Sequence, residues 1–170
     1  RYGNNGTPIN GAFWNSSGKH NGAYQFDGVD DMITVGPTQT LSLTTSGTLS
    51  FWMNYKQVNT RAGFIVRSDG VNGYSFFDYQ ESAPNSVRLT LRRNSFDTKL
   101  DSGSNYLVIN QWVHYVVTWK DGANARFYRD GALFTTLPLG TDTTPLPLSV
   151  DFVIGRRADS AKTMNGTMDQ

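Results

Sequence analysis

Short runs of alternating hydrophobic and polar residues fill the chain, and turn-forming residues separate them. Thr48-Leu49-Ser50-Phe51-Trp52-Met53-Asn54-Tyr55 alternates over eight positions, and Val87-Arg88-Leu89-Thr90-Leu91-Arg92 places Val87, Leu89 and Leu91 on one face. A two-residue period is the mark of a strand with one buried face. Further strands are predicted at Ala23–Phe26, Met32–Val35, Phe64–Val66, Tyr74–Tyr79, Arg126–Arg129, Ala132–Thr135 and Val150–Ile154, with another starting at Met164. Trp112 to Trp119 is the longest apolar run and predicts a central strand buried on both sides.

Asp-Gly recurs at Asp27-Gly28, Asp69-Gly70, Asp121-Gly122 and Asp130-Gly131. Between two strand-like runs this dipeptide signals a tight hairpin. Gly140 to Pro147 reads as a loop, because its prolines cannot donate to a ladder. No helical periodicity lasts three turns. The pattern predicts one all-β domain over residues 1–170, an antiparallel two-sheet β-sandwich.

Composition narrows the picture. The 170 residues suffice for a sizeable core. Fifteen basic residues stand against fourteen acidic ones, with no basic stripe, which argues against nucleic acid as a partner. Arg92-Arg93 and Arg156-Arg157 are the only basic pairs and read as solvated strand ends. Without cysteine there is no disulfide framework and no thiolate zinc site. No apolar run reaches membrane-spanning length, so membrane insertion is not expected. The chain begins Arg1-Tyr2-Gly3 without a signal peptide, as an excised or processed piece does.

Catalytic chemistry finds few residues. Glycan hydrolysis usually takes two carboxylates with divided roles, and Glu81 is the one glutamate. Asp78 lies an odd interval from it, so the two do not share a strand face. His114 sits in the most apolar run and reads as structural, and His20 lies in a turn. The chain is therefore expected not to be an enzyme. For ligand binding, Tyr74, Phe76, Phe77 and Tyr79 alternate, so that one pair fills the core and the other lines an open sheet face beside Arg88 and Arg92. Tyr74, Phe76, Tyr79, Arg88 and Arg92 are the candidate binding residues, and Trp52, Trp112 and Trp119 read as core. Asp27, Asp30 and Asp31 gather three carboxylates at a turn, as calcium or turn capping requires.

Several motifs, in order, resemble laminin G-like, concanavalin A-like jelly rolls related to pentraxins. They are Gly22–Val35, Leu49–Met53, Trp112–Trp119, Arg126–Gly131, Val153–Arg156 and Met164–Asp169. The resemblance implies a non-catalytic, extracellular or cell-surface module binding carbohydrate or protein. It also implies a structural calcium ion. In pentraxins the place of Asp30-Asp31 and a loop matching Asp159 hold calcium, but Arg157 here takes the place of a glutamate ligand. A second arrangement joins Asn5 or Gly6 to Gly28 and Asp169. The final strand of the family normally continues past the position of Gln170. One alternative function is a structural subunit of a filament or surface assembly whose sheet is completed by a neighbour, through self-assembly, and another is a glycan-active enzyme.

Overall fold

The computed structural model describes residues 4–37, 41, 45–56, 61–81, 83–93, 96–140, 150–157 and 162–169. Among them are fourteen strands and no helix longer than a turn. The strands are β1 (Gly6–Ile9), β2 (Phe13–Asn15), β3 (Ala23–Asp27), β4 (Met32–Val35), β5 (Ser46–Tyr55), β6 (Gly63–Ser68) and β7 (Gly73–Asp78). They continue with β8 (Val87–Arg93), β9 (Phe96–Asp101), β10 (Val113–Lys120), β11 (Asn124–Arg129), β12 (Ala132–Pro138), β13 (Phe152–Ile154) and β14 (Asn165–Asp169). Two seven-stranded antiparallel sheets result, ordered β1-β4-β13-β6-β7-β8-β9 and β12-β11-β10-β5-β14-β3-β2. This is the expected jelly-roll sandwich.

Alternation decides which face is buried. Leu49, Phe51, Met53 and Tyr55 of β5 and Val113, Tyr115, Val117 and Trp119 of β10 point inward and are buried. From the other sheet Tyr74, Phe76, Leu89 and Leu91 meet them. The centre is aromatic: Phe76 lies 6.0 Å from both Phe51 and Phe64 and 6.3 Å from Phe127 between ring centroids. Polar tips inside find partners, as when the Tyr106 hydroxyl donates to the Tyr128 carbonyl at 2.8 Å.

The β11–β12 hairpin turns at Asp130 (φ 49°) and Gly131 (φ 80°). Two successive left-handed residues match the twist of paired strands, which is why Asp-Gly serves there. The strand β10 is central, between β5 and β11, yet it is buried on one face only: His114, Val116 and Thr118 are half-exposed on the other. Its apolar outer positions suggested two-sided burial because β-branched residues suit a strand regardless of cover. Of the three tryptophans read as core, Trp119 is, while Trp52 and Trp112 are half-buried. Arg93 is no solvated strand end. It is 4% exposed, and its guanidinium donates to both Asp121 carboxylate oxygens at 2.8 Å, linking β8 to the turn after β10.

Candidate functional site

The outer face of the first sheet is hollowed across β6, β7, β8 and β9 into a trough of about 520 Å³, a size typical of ligand clefts. Register builds it. Phe77 faces Arg88, which faces Asp101; Ser75 faces Thr90, then Lys99; Gly73 faces Arg92, then Asp97. The outer rows stand roughly 14 Å apart, four residues along a strand. On β8 and β9 their side chains are charged, while the middle row offers small hydroxyls on β7 and β8. The result is two walls and a floor. Arg61 and Arg157 reach in from the flanks, and Tyr79 caps the first wall.

The walls are laced with ion pairs. Arg88 binds Asp101 through two nitrogens at 2.5 and 2.7 Å, and Arg92 binds Asp97 at 2.5 and 3.0 Å. Arg92 also donates to the Gly70 carbonyl at 3.0 Å. Such bidentate pairs fix guanidinium orientation. Arg92 holds the Asp97 carboxyl below its usual range. Arg61 and the Tyr79 hydroxyl both donate to Glu81, whose carboxyl is likewise held low, chiefly by Arg61. Lys99 stands 3.8 Å from Asp97 with half its side chain exposed.

The aromatic rings are already covered. The Arg157 guanidinium sits 4.6 Å above the Phe77 ring, and that of Arg88 lies 3.4 Å from the Tyr79 centroid. The trough therefore presents cationic planes and hydroxyls rather than open aromatic faces.

Of the predicted binding residues, the structure brings Tyr79, Arg88 and Arg92 to this trough, and Tyr74 borders it with its ring turned inward. Tyr74 and Phe76 are corrected. Both are 1% exposed, pointing inward, with Tyr74 5.7 Å from Trp119 and Phe76 at the core centre. The alternation was right but the pair on the open face is Phe77 and Tyr79. Sequence reasoning also missed Arg157, Lys99, Ser75 and Thr90. A signal was present: Arg88 and Arg92 on one strand mirror Asp97 and Asp101 across the intervening turn, with the spacing of paired hairpin positions.

The predicted calcium residues divide. Asp27, Asp30 and Asp31 place one carboxylate oxygen each within 4.8 Å of one another, around the Gly28 turn (φ 87°). Asp31 is 2% exposed; its Oδ2 accepts from the Asp27 N–H at 2.8 Å, and its Oδ1 has no hydrogen-bond partner. Burial pushes its carboxyl up, with the neighbouring carboxylates adding to the effect. Gly11 lies so near that a Cβ there would stand 2.8 Å from Oδ1. An orphaned buried oxygen among hard carboxylates fits a calcium ion. Asp169 does not join this group. Antiparallel pairing sets Asn165 against Asp27, which leaves Asp169 at the other end of β3, about 14 Å away along the strand. There it accepts the His20 N–H at 2.6 Å. Gly28 follows Asp27 and so lies at the far end of β3 from Asp169, and the arrangement joining Asn5 or Gly6 to Gly28 and Asp169 is not formed. Asp159 lies outside the described residues.

On the outer face of the second sheet, His114 stacks on Trp52 at 5.1 Å and its Nε2 lies 3.0 Å from the Ser50 hydroxyl. His114 therefore lies on the outer face of this sheet rather than in the core. Trp14, 60% exposed, covers Gly22 at the sheet edge.

The family model described as Concanavalin A-like lectin/glucanases superfamily matches residues 27–170. No curated protein sequence matches the chain. Solved structures share the fold. Domain 4 of AbnA, a GH43 extracellular arabinanase from Geobacillus stearothermophilus solved with arabinotriose, matches with a TM-score of 0.73 at 15% identity, over 96% of this chain and 79% of that one. The binding domain of Paraclostridial Mosquitocidal Protein 1 gives 0.78 at 13% identity, over 98% and 43%. The binding domain of botulinum neurotoxin DC, solved with rat synaptotagmin II, gives 0.68 at 16%, over 98% and 41%. The chain thus spans less than half of the toxin domains it resembles.

Proposed function

The chain belongs to the concanavalin A-like lectin/glucanase superfamily, and on that premise we propose that it is a non-catalytic, extracellular recognition module that binds carbohydrate in the trough of its first sheet. One observation carries the reading: oriented arginine–aspartate pairs flank a hydroxyl-lined floor in a cleft of about 520 Å³. Sugar hydroxyls need planar donors and acceptors held in place, and these side chains supply both. Binding in related folds, of arabinotriose by the arabinanase domain and of synaptotagmin by a toxin domain, supports recognition as the role. The non-catalytic part rests on the carboxylates. Glu81 and Asp97 are each held low by an arginine, and such a carboxyl is a poor general acid, while both Asp101 oxygens are taken by Arg88. The test is a glycan array with wild type and Ser75→Trp, which fills the floor. Binding lost in a folded Ser75→Trp protein is expected; retained binding, or no glycan bound by wild type, defeats the reading.

A structural calcium ion belongs to the same proposal, held by Asp27, Asp30 and Asp31. It would neutralise their repulsion and fix the β3–β4 turn. Millimolar calcium should raise the melting temperature of wild type over the EDTA-treated protein, and should not do so in Asp31→Asn. An equal melting temperature with and without calcium removes the ion from the account.

A further inference from the structure

We infer that the trough selects an acidic sugar, one carrying a single carboxylate or sulfate per bound unit; this deepens the carbohydrate reading and rests on it. The first ground is charge. Arg61, Arg88, Arg92, Lys99 and Arg157 line the trough, five cations, against Asp69 and Asp97. Asp101 and Glu81 lie just outside, bound to Arg88 and Arg61. Among the described residues, five cations against four carboxylates leave one positive charge. Not all four acids face a ligand equally, either. Asp69 is turned to its own loop, its Oδ1 accepting from the Val71 and Asn72 N–H groups at 2.8 and 2.6 Å.

The second ground is the covered aromatics. A neutral sugar is commonly held by stacking its C–H face on an open ring, and here Arg157 and Arg88 lie over Phe77 and Tyr79. What faces the ligand is guanidinium, ammonium and hydroxyl. The third ground is placement. Lys99 shares the middle row with Ser75 and Thr90, and its ammonium lies at the end of the floor on the side of Asp97. Its link to Asp97 is long, at 3.8 Å, leaving it the side chain best able to turn toward an incoming anion. A sugar lying on the Ser75 and Thr90 hydroxyls would point its anionic group at Lys99.

The experiment is calorimetric titration of the whole chain with three probes: trigalacturonic acid, its methyl ester and a sulfated galactan oligosaccharide. Trigalacturonic acid is expected to bind at least tenfold more tightly than the ester. Lys99→Gln should weaken acid binding about threefold to fivefold, the range for an exposed charge pair. Binding of the sulfated probe alone would also sustain the inference and assign the anion to sulfate. Equal binding of acid and ester, or acid binding untouched by Lys99→Gln, overturns selection for charge while leaving the trough as a neutral-sugar site, provided Ser75→Trp still abolishes binding. Failure of all three probes and of neutral arabinan and xylan oligosaccharides overturns both readings together.

Discussion

Asp78 closes β7 with its side chain in the core, 0% exposed. Its Oδ2 accepts from the Tyr55 hydroxyl at 2.8 Å and from Gln80 Nε2 at 3.1 Å, and Oδ1 has no partner. No cation is among these contacts, so burial dominates over the two hydrogen bonds and pushes the carboxyl from 3.8 up to about 6. Protonation is therefore easier in the folded than in the unfolded chain. The stabilisation from the neutral acid is complete below about pH 4 and is lost as pH rises through about 6. The shift is worth about 3 kcal/mol at 1.36 kcal/mol per unit. Asp78→Asn mimics the neutral acid and keeps an acceptor for Tyr55. Urea unfolding of both proteins, followed by tryptophan fluorescence from pH 4 to 8, isolates the effect, because other titrating groups cancel in the difference. The variant should gain about 2.5 kcal/mol over wild type between pH 4 and pH 7, with most of the change between pH 4 and 6. A difference flat across that range would show that the buried carboxylate is not penalised.

Three further outcomes follow from packing. Arg93→Met leaves Asp121 charged and 5% exposed without its partner, and should cost about 3–5 kcal/mol in denaturant unfolding, most of it recovered when Asp121→Leu is added. Gly73 has φ +131°, and a Cβ there would stand 2.1 Å from the Arg67 carbonyl oxygen, so Gly73→Ala should lower stability by about 2 kcal/mol or more in a thermal melt. Thr90→Val, nearly the same shape, should leave the melting temperature within a few degrees yet weaken any ligand that uses the floor, read by titration calorimetry.

The sandwich was legible because alternation is a direct print of which side of a sheet is wet. Leu49, Phe51, Met53 and Tyr55, then Val113, Tyr115, Val117 and Trp119, name two inward faces without any structure. What alternation does not carry is the outer face. The inward set of β10 is correct, yet Val116 and Trp112 also look like core, because a half-covered strand tolerates apolar residues on its open side. Arg93 errs in the opposite direction. It shares the inward period of Val87, Leu89 and Leu91, and that period should have outweighed its charge. A buried arginine requires a buried partner, and Asp121 is 28 positions away, where no local pattern points to it.

The trough was half legible for the same reason. Whether Phe77 or Phe76 faces outward follows from the inward period of the strand, once one neighbour is known to be core. Arg88 facing Asp101, and Arg92 facing Asp97, follow from hairpin arithmetic once β8 and β9 are paired. The covering of Phe77 by Arg157 does not, since 80 residues separate them and β13 must first be placed beside β6. That one long-range contact changes the chemistry. An aromatic row read from sequence suggests a stacking platform for neutral sugars. The same row under two guanidinium groups is a cationic surface backed by rings, where each ring stabilises the charge above it. Removing Arg157 should therefore do more than subtract a charge. Arg157→Ala bares the face of Phe77, and its expected signature is a fall in affinity for trigalacturonic acid together with an unchanged or improved affinity for its methyl ester. Equal losses for both probes would mean that Arg157 shapes the wall rather than reading the anion.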